Sequence, residues 1–188
     1  MKIARLARGE TLKEFPGEGF DEVWGLNRLG ETHDLDRLFV MDDFKLRLPF
    51  FEGKDFPEFL KSYQGRLITS RKYDEWPNSE EFSMVESARY FGLPLGIAMY
   101  STVDYMIATA IMEAVDEIHL YGVDCSYKAV TDVVRLSIGV WIGAAMADGI
   151  LVTSRRDSFS YWWTHVGFAH ENGMYGYVQR PRIETLVA

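Results

Sequence analysis

The sequence of 188 residues holds a single cysteine, Cys125. One thiol cannot close an intrachain disulfide, and no zinc site built on cysteines can form around it. Positive charge is also short. Twenty Lys and Arg stand against 28 Asp and Glu, for a formal net charge of −8. A surface that acidic repels phosphate backbones, which excludes non-specific binding of nucleic acid. A small anionic ligand is still allowed, because helix N-terminal amides hold phosphate whatever the net charge. Long apolar runs are missing too. The longest uncharged, largely apolar stretch, Leu136 to Ala147, falls well short of the roughly 20 residues that span a bilayer. The opening MKIARLARGE has no apolar signal-peptide core. With one reduced thiol, these features lead us to expect a cytoplasmic chain.

Several familiar signatures are absent. No GxGxxG follows a strand, so a standard dinucleotide site is unsupported. No GxxxxGK loop ending in Ser or Thr marks a nucleoside triphosphatase, and no GxSxG marks a nucleophile elbow. No metal or cofactor motif is present, so none is expected. There is no internal repeat.

What is there reads as one globular α/β domain over residues 1–188. Apolar residues make up 47% and charged residues 26%, ordinary values for a packed core. Apolar segments near residues 2–7, 22–26, 37–41, 66–70, 117–121 and 150–153 predict strands. Residues 55–64 predict a helix, with Asp55 as N-cap, Pro57 in its first turn and Gly65 past its end. The period of Val103, Met106, Ile107, Ala110, Ile111 and Ala114 predicts a helix over 101–115. Ser101 and Asp104 have the spacing of a capping box at its start. Residues 132–148 predict a second long helix. Residues 71–82 read as a loop and 84–99 as an irregular passage or short strand. Alternating strands and helices predict a three-layer Rossmann-like fold with a mainly parallel sheet. Residues 158–188, rich in aromatics, read as a lid or cap.

In such a sheet, ligands bind beyond the carboxyl ends of the strands. That rule singles out Gly9 and Thr11, then Asn27 and Arg28, then Asp42 and Asp43. It also singles out Ser101 and Thr102 at the helix start, and Gly122, Asp124 and Tyr127 after the strand at 117–121. Each also has a local reading. Gly9 can simply turn the chain, Asn27 can cap a turn, Ser101 is a helix cap, and Asp124 can satisfy nearby amides. Of the histidines, His119 alternates with apolar residues and reads as structural. His165 and His170 are five apart, which does not stack them on one helical face as a metal pair. Either is available as a general base if the tail folds over the site.

The segment YSTVDYMIATAIMEAVDEIHLYGVDCSY, with WGLN earlier, resembles a group of Rossmann-like proteins. The group includes the bacterial sialyltransferases of glycosyltransferase family 42 and small phage-encoded proteins of unknown function. The shared pattern falls on Gly9, Asn27, Ser101 to Met106, and Gly122 to Asp124. The resemblance implies nucleotide contacts at Gly9, Thr11, Asn27, Ser101, Thr102, Gly122 and Asp124, with Tyr127 a further candidate. His165 is the candidate for the family's catalytic histidine. The family's phosphate turn is here Arg8-Gly9-Glu10-Thr11, lacking a glycine, the proline and the serine, and Val103 replaces a family glycine. Arg135, Ser158 and Tyr175-Gly176-Tyr177 match the phage-encoded members, which implies a phage or prophage origin.

Three functions compete on this reading. The first is a glycosyltransferase-like enzyme that binds a nucleotide-sugar. Arg28, Arg135 and helix amides would stabilise the leaving nucleotide, and His165 or Asp124 would deprotonate the acceptor. The second is a non-catalytic phage protein that sequesters a nucleotide. The third is a protein-interaction module, a homo-oligomer joined through the aromatic tail.

Overall fold

The computed structural model describes residues 1–44, 52–92, 95–125 and 132–155. Seven strands form one sheet: β1 (Lys2–Leu6), β2 (Glu22–Leu26), β3 (Arg37–Val40), β4 (Arg66–Thr69), β5 (Ser79–Glu81), β6 (Glu117–Tyr121) and β7 (Leu151–Ser154). Among the described residues, four α-helices accompany them: α1 (Phe56–Ser62), α2 (Met84–Phe91), α3 (Thr102–Met112) and α4 (Asp132–Ala147).

The strand order is β5-β4-β3-β2-β1-β6-β7, and every neighbouring pair is parallel. Parallel pairing demands crossovers, and the crossover helices bury both faces of the sheet. That is why β3 is buried at every position. On one face Arg37 of β3 pairs with Glu113 at the end of α3, and α3 packs against α4. On the other face Phe59 of α1 and Leu38 of β3 close around Gly30. The result is the three-layer Rossmann-like fold expected from the sequence.

The chain begins in the middle of the sheet and winds outward from β1 to β5. It then crosses back to place β6 on the other side of β1. Strand order reverses there, so the carboxyl ends of β1 and β6 form the topological switch point.

Two stretches differ from the sequence expectation. Residues 84–99 open with α2 and continue into a 3-10 turn, Leu95–Ile97. The helix forms because the Ser83 side chain accepts from the Glu86 amide at 3.2 Å, which satisfies a first-turn donor. It stops at Gly92, whose φ of +72° ends the helix. The expected loop at 71–82 holds β5, a three-residue edge strand. Its pairing with β4 is reinforced by Arg66 on Glu80 at 2.8 Å. Among the described residues, no helix is long and apolar enough to cross a membrane.

Candidate functional site

All seven strands are parallel, so their carboxyl ends share one edge. Gly9 and Thr11 follow β1, Asn27 and Arg28 follow β2, Asp42 and Asp43 follow β3, and Gly122 and Asp124 follow β6. Helix α3 runs against the strand direction, which places its N-cap Ser101 and first residue Thr102 at the same edge.

The turns after β1 and β6 are joined at the switch point. The Gly9 amide donates to the Gly122 carbonyl at 2.8 Å. The Thr11 amide donates to Asp124 Oδ2 at 2.8 Å, and the Thr11 hydroxyl donates to Asp124 Oδ1. The same hydroxyl accepts from the Gly122 amide at 2.9 Å. Thr11 and Asp124 are 3% and 4% exposed, so this is a buried and fully bonded latch. Both glycines are sterically required. A Cβ on Gly9 would run into the Asp124 carboxylate and lie 2.6 Å from the Gly122 oxygen. A Cβ on Gly122 would strike the Ala7 oxygen, and its φ of +70° favours glycine in any case.

Asn27 occupies the adjacent corner. Its φ is +49°, a left-handed conformation that asparagine tolerates better than most residues. Its Nδ2 donates to Glu52 Oε1 at 3.0 Å. A carboxylate only accepts, so this bond fixes which way the amide points. The Oδ1 is thereby aimed elsewhere, and it has no partner although Asn27 is 9% exposed. Glu52 also receives Arg8, which ties the end of β1 to the end of β2. Arg28 is committed to its surroundings: Nε donates to the Glu52 carbonyl at 2.6 Å, and the Nη groups donate to Glu31 and Asp55.

At α3, Ser101 and Asp104 form the capping box that their spacing predicts. Asp104 does more than cap. Its Oδ2 accepts from the amides of Tyr100 (2.7 Å) and Ser101 (2.8 Å) and from the Ser137 hydroxyl of α4 (2.8 Å). Burial pushes its carboxyl above the ordinary range, against the pull of these bonds. The amides of Thr102 and Val103 open the helix, where no helical carbonyl reaches them. They carry the positive end of the helix dipole to this edge.

Arg135 does not stand free. Its Nε and Nη2 donate to the Cys125 carbonyl at 3.2 and 3.1 Å, and Nη1 to Asp132 at 2.9 Å. It fixes Cys125 in a left-handed conformation, φ +51°. Non-glycine residues in this region are held there by their surroundings and collect at functional sites. Burial pushes the Cys125 thiol up to about 11, so it is no nucleophile at neutral pH. Tyr127, His165, His170 and the tail from Ser158 lie outside the described residues.

Glu52 and Arg8 belong to this edge and no sequence signal singles them out. Glu52 reaches Asn27 across 25 residues of chain, a pairing that only tertiary packing creates. His119 bonds to Thr153 and Glu117 at 2.9 and 2.8 Å within the sheet, in keeping with a structural role. An open groove of about 460 Å³ lies at the opposite edge, lined by residues 114–117 and 148–151 where the helices turn into β6 and β7. It is remote from the strand carboxyl ends. Among the described residues, no group of three or more His, Cys, Asp or Glu could hold a metal ion.

No family model matches the chain, and no curated protein matches it. Among solved structures, it is similar to the sialyltransferase CstII from Campylobacter jejuni, determined in complex with a substrate analogue, cytidine-5′-monophosphate. The TM-score is 0.54 at 17% identity, covering 82% of this chain and 79% of that one. At that identity the likeness establishes the shared Rossmann-like fold.

Proposed function

We propose that this chain binds a nucleotide or nucleotide-sugar at the carboxyl edge of its sheet and acts as a glycosyltransferase-like transferase. The observation that carries the reading is Asn27 Oδ1, buried, oriented by Glu52 and without a partner. A buried acceptor left unpaired costs about 1–3 kcal/mol, and a ligand donor would recover it. Oδ1 only accepts, so the ligand group facing it is a donor: a ribose hydroxyl or the exocyclic amine of a base. Phosphate, an acceptor, suits the open amides of Thr102 and Val103 instead. The similar sialyltransferase structure carries a nucleoside monophosphate, which supports the same ligand class here. Gly9, Thr11, Gly122 and Asp124 shape the floor of this site, while Arg28 and Arg135 brace its walls. His165 is the proposed base for the acceptor, with Tyr127 a further contact.

Isothermal titration against CMP, CDP, UDP, GDP, ADP-ribose and their sugar conjugates tests the proposal. We expect one series to bind, and Asn27→Ala to weaken it about tenfold, the worth of one buried hydrogen bond. If nothing in the panel binds, the reading fails.

One observation favours a second reading, a non-catalytic nucleotide binder of a phage or prophage. The amides that would cradle a phosphate at the switch point are spent: that of Thr11 on the Asp124 carboxylate and that of Gly122 on the Thr11 hydroxyl. Release of free nucleotide from a bound nucleotide-sugar separates the two. Turnover supports the transferase, and tight binding without turnover supports the binder.

A further inference from the structure

Glu52 is held from two directions. Its backbone carbonyl accepts from Arg28 Nε at 2.6 Å, and its carboxylate accepts from Arg8. Arg8 follows β1 and Arg28 follows β2, so two neighbouring strand ends fix one glutamate between them. Arg28 is braced in turn, with Nη1 on Glu31 and Nη2 on Asp55, both at 2.7 Å. Glu52 is 8% exposed, so water does not compete for its contacts.

This fixed position is passed on to Asn27. The Glu52 Oε1 that receives Arg8 also accepts from Asn27 Nδ2, at 3.0 Å. A carboxylate has no hydrogen to give. It therefore bonds a neighbouring amide in one orientation only, nitrogen toward the carboxylate and oxygen away. A glutamine at position 52 would act differently, because it offers one accepting atom and one donating atom. The Asn27 amide could then turn over and stay bonded. The carboxylate is thus not needed to hold Asn27 in place. It decides which end of the amide is left for a partner, and that end is Oδ1, which has none.

We infer that Glu52 is a specificity-determining residue, which fixes Asn27 so that the site selects a hydrogen-bond donor and rejects an acceptor of the same shape. The inference rests on the nucleotide reading of this edge. Glu52 is a positioning residue, acting through Asn27 and not on the ligand. Selection comes from exclusion. A ligand amine or hydroxyl satisfies Oδ1, whereas a carbonyl or fluorine in the same place leaves two acceptors facing each other. Sites built around such buried polar groups discriminate far more sharply than apolar pockets do.

The test is titration calorimetry of the full chain with ligand pairs that exchange donor for acceptor. CMP is paired with UMP, AMP with IMP, and CMP with its 2′-fluoro and 3′-fluoro analogues. In the unaltered chain, the donor-bearing member of one pair should bind about ten- to a hundredfold more tightly. Glu52→Gln should narrow that ratio to about threefold, chiefly by tightening the acceptor-bearing member. If both members weaken alike, the ratio is unmoved, Glu52 serves only the fold, and the inference is overturned. Binding without preference in any pair also overturns it, and leaves the nucleotide reading standing. No binding at all removes that reading and this inference with it. Should Glu52→Gln fail to fold, NMR of the unaltered chain decides. The Asn27 side-chain amide protons should exchange with water at least about tenfold more slowly than those of free asparagine. Unprotected protons would show that Glu52 does not hold the amide, which refutes its role.

Discussion

Gly122→Ala is expected to destabilise the protein by about 3 kcal/mol or more, the range of severe core substitutions. Two costs add. An alanine held at φ +70° loses roughly 1–2 kcal/mol from the left-handed conformation alone. Its Cβ would also collide with the Ala7 oxygen and lie 2.7 Å from the Ala7 carbonyl carbon. These are backbone atoms of the strand paired with β6, so relief requires parting β1 from β6 at the switch point. That loosens the Gly9 to Gly122 and Ala7 to Tyr121 bonds, both 2.8 Å. Denaturant unfolding measures the loss. A change below about 1 kcal/mol, the centre of ordinary point mutations, would mean that the two turns are not so closely opposed.

Asp124→Ala is expected to cost a similar amount, about 3 kcal/mol, for a different reason. Its carboxylate accepts both the amide and the hydroxyl of Thr11 in a site sealed from water. Removing it leaves two buried donors unsatisfied, each worth about 1–3 kcal/mol. Thr11→Val removes the hydroxyl and should cost less, since the amide bond to Oδ2 survives. The double variant should cost less than the sum of the single ones, because the two residues share one network. Additive losses would show that Thr11 and Asp124 act independently. The latch also joins the two turns that shape the candidate site, so ligand affinity in the Asp124→Ala variant should fall along with stability.

Much of the architecture was open to sequence reasoning, for identifiable reasons. The helical period from Val103 to Ile111 and the Ser101-Asp104 spacing define α3, because both signals are local, although the helix is buried on nearly every side and not on one face alone. The apolar residues alternating with polar ones in β1 and β6, and the apolar run of β3, announce strands. Gly9, Asn27, Gly122 and Asp124 were singled out because each follows a strand, and the parallel sheet brings them to one edge. Helix α2 was not legible. Its eight residues are amphipathic, but the run is short and is followed at once by Gly92, Pro94 and Gly96, and what starts it is a single Ser83 cap. Glu52 was not legible either, since its importance lies in Asn27 and Arg8, which are far away in sequence.

The sequence by itself determined the alternation of strands and helices, and therefore a parallel sheet with its candidate site at the strand carboxyl ends. Periodicity and capping are local, so they can be read from a single chain. Only the tertiary structure decided the strand order, and with it that β1 and β6 form the switch point. It alone joined Thr11 to Asp124 across 113 residues, turned the Asn27 amide against Glu52, and sealed Arg5 beneath α3. Those outcomes depend on which side chains meet when the layers close and water is expelled, and no local pattern encodes that.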